Sequence, residues 1–215
     1  FNDDGIDDIF VGSMGLQYRD PDSNNDFILP YPDLLLLSDS SGRFIDASLN
    51  IDDQNNGNGK ICGFSHDAST GDFDNDGDYD IFACNLLLVN DGLGNFEIHQ
   101  DLDFNLQQAY GNPMSSLIVD LNNDNYADLV FWNFDNRPNS IPEEGFALVS
   151  DGTANVDNWT LVELPEGPFG RNHNKFNHAA WGDLNNDGNN DIVVGITRDL
   201  PYYEGAYVQV LMGDG

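Results

Sequence analysis

The sequence predicts an all-β chain of short antiparallel strands, and three observations carry the prediction. Helical periodicity is absent along almost the whole chain. Short apolar runs end in tight polar turns and then resume, as in Leu34-Leu35-Leu36-Leu37-Ser38-Asp39-Ser40-Ser41-Gly42-Arg43-Phe44, with parallel stretches at 86–96, 146–152 and 210–215. Asp and Gly in those turns supply the left-handed backbone that a hairpin bend requires, so each stretch reads as a β-hairpin. The third observation is a nine-residue acidic motif that returns four times.

Its clearest copy is Asp72-Phe73-Asp74-Asn75-Asp76-Gly77-Asp78-Tyr79-Asp80. Two further copies occupy 120–128 and 183–191, and the chain opens inside a fourth, whose last residue is Asp8. The final aspartates are separated by 72, 48 and 63 residues, an irregular period near the size of a propeller blade. In one repeating unit, strand A would end in the acidic loop, strand B begin at its last Asp, and a variable connection lead to the C–D hairpin. The predicted fold is therefore a β-propeller of four-stranded antiparallel blades with the acidic loops between strands A and B. Blade 1 is expected over about 1–50, with strands near 7–14, 33–39 and 43–48. Blade 2 covers about 62–100, blade 3 about 110–166 and an incomplete blade 4 about 174–215. Two whole and two partial blades lead us to expect continuity with further blades of a longer chain.

Charge limits the partners. With 38 acidic against 7 basic residues, the formal net charge of -31 would repel nucleic acid and anionic membrane surfaces. Cations are the natural partners, although acidity on this scale also serves solubility in salty surroundings. No apolar run approaches the length of a membrane span. Cys62 and Cys84 lack metal-type spacing and could form one disulfide or stay buried and free.

In the clearest loop, side-chain oxygens fall at positions 1, 3, 5 and 9, from Asp72, Asp74, Asp76 and Asp80, and Gly77 at position 6 permits a sharp turn. Such a loop can wrap one hard cation, and carboxylates with the position 7 carbonyl and water supply the six to eight oxygens that Ca²⁺ takes. No His or Cys takes part, which argues against zinc. An EF-hand needs Glu at position 12, where this chain has Ala83, Phe131 and Val194. Clusters of Asp, Asn and Gly also form plain turns, but four copies with the same oxygens at 3, 5 and 9 point to metal. Asn125 replaces Gly in the third loop, a residue that tolerates left-handed backbone.

These loops and hairpins resemble the FG-GAP and VCBS repeats of integrin α-subunit propellers and microbial surface proteins. The likeness spans nearly the whole chain, although the Phe-Gly…Gly-Ala-Pro cassette is poorly kept, which places it nearer the VCBS branch. The resemblance implies a propeller, commonly seven-bladed, with Ca²⁺ on one face and partners docking on the other. It implies as ligands Asn2, Asp4 and Asp8; Asp72, Asp74, Asp76 and Asp80; Asp120, Asn122, Asp124 and Asp128; and Asp183, Asn185, Asp187 and Asp191.

Strand alternation puts A–B and C–D loops on one face and the other connections opposite. By that rule Arg19, Arg137 and Arg198 fall in B–C loops and Lys60, Arg171 and Lys175 in D–A loops, with only Arg43 on the acidic face. Tyr18, Tyr202 and Tyr203 accompany them. Arg beside Tyr suits a carboxylate-bearing glycan or an acidic peptide, so Tyr18, Arg19, Arg137, Arg171, Arg198, Tyr202 and Tyr203 form the candidate recognition set. Long loops need polar residues in any case. Trp132 and Trp181 are expected to pack between blades, and His66 and His178 to play structural parts. Asn158-Trp159-Thr160 is a glycosylation sequon of low specificity. No nucleophile elbow, zinc-protease helix or phosphate-cradling Gly loop occurs, so no enzyme is expected. The expected function is an extracellular calcium-binding module for adhesion or ligand recognition. The alternatives are a scaffold in a larger surface assembly or an accessory domain of a secreted polysaccharide-degrading enzyme.

Overall fold

The computed structural model describes residues 1–13, 16–19, 26–29, 32–52, 65–84, 86–99, 112–134, 145–153, 155, 158–170, 174–198 and 204–214. Sixteen antiparallel strands fill most of this length, and among the described residues the one named helical element is a short 3₁₀ turn, Ser48–Asn50. The all-β expectation therefore holds. Among the described residues, no helix is long and apolar enough to cross a membrane.

The first sheet joins β1 (Ile9–Val11), β4 (Leu34–Ser38) and β5 (Phe44–Asp46), while β2 (Leu16–Arg19) and β3 (Asp26–Leu29) form a separate two-stranded ribbon. The second sheet runs β6 (Ala68–Gly71), β7 (Asp80–Ala83), β8 (Leu86–Asn90), β9 (Phe96–Ile98) in spatial order. The third follows the same plan with β10 (Asn112–Val119), β11 (Asp128–Phe134), β12 (Gly145–Val149) and β13 (Thr160–Glu163). The fourth holds β14 (Asn174–Gly182), β15 (Asp191–Arg198) and β16 (Glu204–Leu211). The β2–β3 ribbon went unforeseen; the stretch between β1 and β4 reads in sequence as a variable connection.

Each core lies between consecutive sheets. Leu35, Ile81, Ala83, Leu88 and Phe96 fill the first interface; Phe73, Phe82, Leu87, Ile118, Phe131 and Trp159 the second; Leu117, Val130, Trp132, Phe176 and Val194 the third. Because side chains alternate along a strand, Ile81 and Phe82 go to different interfaces, as do Phe131 and Trp132. A sheet buried on both faces needs apolar residues at every position, and this is why Leu86-Leu87-Leu88 and Leu129-Val130-Phe131-Trp132 read as unbroken runs. Each fully buried Phe or Leu contributes about 1.5–3 kcal/mol. Trp132 stacks on Phe176 at 6.0 Å, between sheets as expected. Trp181 departs from expectation: it is 52% exposed. It lies past the bulge between Phe176 and Ala179, on a sheet whose outer residues Val208 and Val210 are also uncovered among the described residues.

The first strands of the last three sheets are neighbours in space, with β6 against β10 and β10 against β14. Gly71 permits this approach, since a Cβ there would lie 2.6 Å from Ile118 Cγ2. Ser116 spans the gap by donating its backbone N–H and its hydroxyl to Asp67, and its Oγ also meets Ser69 Oγ at 2.9 Å. The arrangement of strands sends the first three acidic loops to the same ends of their sheets as the β4–β5, β8–β9 and β12–β13 hairpins.

Candidate metal centres

Four loops share one backbone path. Loop 1 (1–8) enters β1, loop 2 (72–80) joins β6 to β7, loop 3 (120–128) joins β10 to β11, and loop 4 (183–191) joins β14 to β15. At position 4, Asp3, Asn75, Asn123 and Asn186 all have left-handed φ, between 54° and 61°. Position 6 is left-handed as well, at Gly5, Gly77, Asn125 and Gly188. Asn and Asp visit this region more readily than other side chains. Position 4 is always Asn or Asp, a signal present in the sequence and overlooked beside the more familiar Gly at position 6.

The last aspartate of each loop is a clip. One oxygen of Asp80 accepts the Phe73 N–H at 2.7 Å and the other the Asn90 N–H at 2.9 Å, so the loop's second residue is tied to the end of the third strand. Asp128 holds Leu121 and Ser150 in the same way, and Asp191 holds Leu184 and Gly213, all within 2.7–2.8 Å. Asp8 repeats the pattern with the Phe1 nitrogen and Ser38. Asp80, Asp128 and Asp191 are fully buried. The partners are backbone N–H groups, which any residue offers, so nothing in the sequence of the third strands announces them.

Where the candidate ligands converge depends on position 3. In loop 2, one oxygen each from Asp72, Asp74 and Asp80 lies within 4.8 Å of the others, a spacing that one cation could bridge. Asp74 Oδ1 is buried and accepts no hydrogen bond. The all-oxygen donor set fits a hard cation, and each carboxylate oxygen retains a free lone pair after one hydrogen bond. Asp76 stands outside this trio, its Oδ1 accepting the Asp78 N–H at 2.9 Å. In loops 3 and 4, position 3 is Asn, and its Nδ2 donates to the position 5 carboxylate: Asn122 to Asp124 at 3.0 Å and Asn185 to Asp187 at 2.7 Å. Asp124 takes a further bond from Ser150 Oγ. Asp120 Oδ1 remains buried without a partner. In loop 1, Asn2 and Asp4 accept backbone N–H groups two residues on.

Burial and neighbouring charge act on the loop carboxylates as well. Burial pushes Asp80 up to about 7 against the pull of the Asn90 and Phe73 N–H groups, and Asp74 and Asp76 add to the rise. Burial likewise lifts Asp128 to about 6, with Asp124 and Asp120 contributing. Asp74 is raised by burial and by the charge of Asp76. Asp187 is lowered instead, held by the Asn189 N–H and the Asn185 amide. A divalent ion would reverse the upward shifts by supplying the missing positive charge.

Of the candidate recognition set, Tyr18 and Arg19 belong to strand β2, where a plain loop was expected. Arg198 is the exposed last residue of β15, seven residue steps of about 3.3 Å from Asp191, at the end of the sheet away from loop 4. Arg137, Arg171, Tyr202 and Tyr203 lie outside the described residues, as does Lys60. Lys175 is no loop residue: it lies in β14 and is 7% exposed, and it helps burial to lower His66. Arg43 pairs with Asp39 at 2.8 Å in the β4–β5 turn, on the acidic side as expected. His178 lies exposed in β14. Cys84 is disulfide-bonded, and the one other cysteine of the chain, Cys62, lies outside the described residues. No family model and no curated protein matches the chain.

Proposed function

We propose that this chain is a calcium-binding stretch of an extracellular β-propeller of the FG-GAP/VCBS kind, acting as a recognition module. One observation carries the reading: four loops share one geometry, each closed by a clipped aspartate, and in loop 2 oxygens of Asp72, Asp74 and Asp80 converge with Asp74 Oδ1 unsatisfied. The loops would each hold one Ca²⁺, with Asp72, Asp74 and Asp80 as the first ligands in loop 2. A bound ion supplies charge neutralisation and holds the loop to its sheet. The chain's own residues bend the backbone, shield the ion and present the far face.

Stacking of consecutive sheets through separate cores, with the first strands of the last three adjacent, supports a radial arrangement of blades. The Cys84 disulfide supports an oxidising, extracellular setting. Recognition of a glycan or protein would fall to the end opposite the calcium loops, where Arg198 stands exposed.

Thermal melting with and without calcium tests the metal. A ligand that binds only the folded form stabilises it by mass action, by roughly 2.7 kcal/mol at a hundredfold excess over its Kd. At about 2–4 °C per kcal/mol for a chain of this size, chelator should lower Tm by about 5–10 °C. An identical melt in chelator would overturn the calcium reading. A glycan array probed with the native chain and with R137A/R198A tests the recognition face: binding should fall in the variant while Tm stays constant.

A further inference from the structure

We infer that loops 3 and 4 take up calcium cooperatively, through a pair of asparagine bridges that join them; this rests on the calcium reading above. Asn190, at position 8 of loop 4, donates its side-chain amide to the backbone carbonyl of Asp120, the first residue of loop 3, at 2.7 Å. Asn123, at position 4 of loop 3, donates to the side-chain carbonyl of Asn189 in loop 4, also at 2.7 Å. Each bridge therefore holds a residue inside the cation-wrapping segment of one loop against the equivalent segment of the other.

The residues at the two ends make the link consequential. Asn190 immediately precedes the buried clip Asp191 and lies against the strand end that Asp191 holds, since a Cβ on Gly213 would come within 2.4 Å of the Asn190 carbonyl oxygen. Asp120 carries the buried, unpartnered Oδ1 of loop 3. An ion in loop 4 orders 183–191 and so fixes the Asn190 amide. That amide then holds the Asp120 backbone where its carboxylate can meet a second ion. The ordering cost is met once for two ions, which yields positive coupling without a change of fold. Coupling of this kind is reciprocal, so loop 3 must favour loop 4 by the same factor.

Loops 2 and 3 supply the internal control, because no hydrogen bond joins them among the described residues. Among the described residues, the hydrogen bonds between loop 1 and loop 2 run through Asn90, whose amide donates to the carbonyls of Phe1 and Tyr79.

Terbium, a luminescent stand-in for calcium, reads loop 3 selectively, because Tyr126 at position 7 can sensitise it; the part of the emission lost in Y126F defines the loop 3 signal. In a titration of the 215-residue chain, disabling loop 4 with D183N/D187N should weaken terbium uptake at loop 3 by roughly fivefold or more. Disabling loop 2 with D72N/D76N should leave it within twofold. In N190A/N123G, which breaks both bridges and keeps a residue that accepts the left-handed backbone at 123, removal of loop 4 should no longer matter, and N190A alone should reduce its effect. Unchanged loop 3 affinity after loss of loop 4 would overturn the coupling while leaving the metal sites standing. Absence of any tyrosine-sensitised emission, together with a calcium-insensitive melt, would overturn the calcium reading and the coupling with it.

Discussion

Loops 2 and 4 share one frame, and of the positions at which they differ, 2, 3, 7 and 8, position 3 sets how each copes without an ion. In both, the position 1 carboxylate accepts the N–H groups of positions 5 and 6 at 3.0–3.1 Å, and the position 9 carboxylate clips the loop to its sheet. Position 3 differs. Asn185 carries an amide that donates to Asp187, and the Asn189 N–H together with this amide holds Asp187 below the ordinary carboxylate range. Asp74 has no proton to give, so its Oδ1 is stranded and its carboxyl is raised. The more acidic loop is thus the better cage and the poorer empty loop.

The clip is common to both loops and should dominate every other effect. Asp80→Ala or Asp191→Ala strands two backbone N–H groups, each worth about 1–3 kcal/mol when buried and unpaired, so either change should cost about 3 kcal/mol. Urea unfolding in chelator checks this, since the loss must persist without calcium if the clip is structural. A variant that loses stability only when calcium is present would reduce these residues to ligands.

Acidity should sharpen the contrast next. Asp80 in the folded chain is held at about 7, above its ordinary 3.8, so its neutral form favours folding and that benefit disappears as pH rises through about 7. Asp128 behaves likewise near 6. In chelator, Tm should therefore climb as pH falls from 8 to 5. With saturating calcium the same titration should lower Tm, because protons displace the ion. Parallel curves in the two buffers would contradict the assignment of these carboxylates to the cage.

Exchanging position 3 is the finest test. Asp74→Asn should make loop 2 imitate loop 4, weakening its calcium affinity on the order of tenfold while raising Tm in chelator by a degree or two. Asn185→Asp should do the opposite in loop 4. Calorimetric titration and melting of both variants would decide, and changes of the same sign in affinity and calcium-free stability would break the comparison.

Much of this was legible in the residues. The motif spacing located every acidic loop, and the polar turns located the hairpins at β4–β5, β8–β9 and β12–β13. Strand β16 begins at Glu204, well before the apolar residues from Val210 that suggested it, because an exposed strand needs no apolar run. The β2–β3 ribbon escaped notice for a related reason: Leu16–Arg19 and Asp26–Leu29 are short and mixed in polarity. Lys175 was misplaced since charge suggests a loop, whereas the strand that buries it is defined by pairing with Thr197. The clip itself was beyond reach, as its acceptor is visible in sequence but its backbone donors are not.

The twin left-handed residues at positions 4 and 6 restrict what each loop can become. An ordinary side chain loses about 1–2 kcal/mol there, so drift at Asn75 or Asn186 is confined to a three-letter alphabet of Gly, Asn and Asp. Mutation can readily vary the charge inside the cage but not its curvature. Over time such repeats would diverge in ionic appetite while their outline stayed fixed, and a collection of related chains should display that asymmetry position by position.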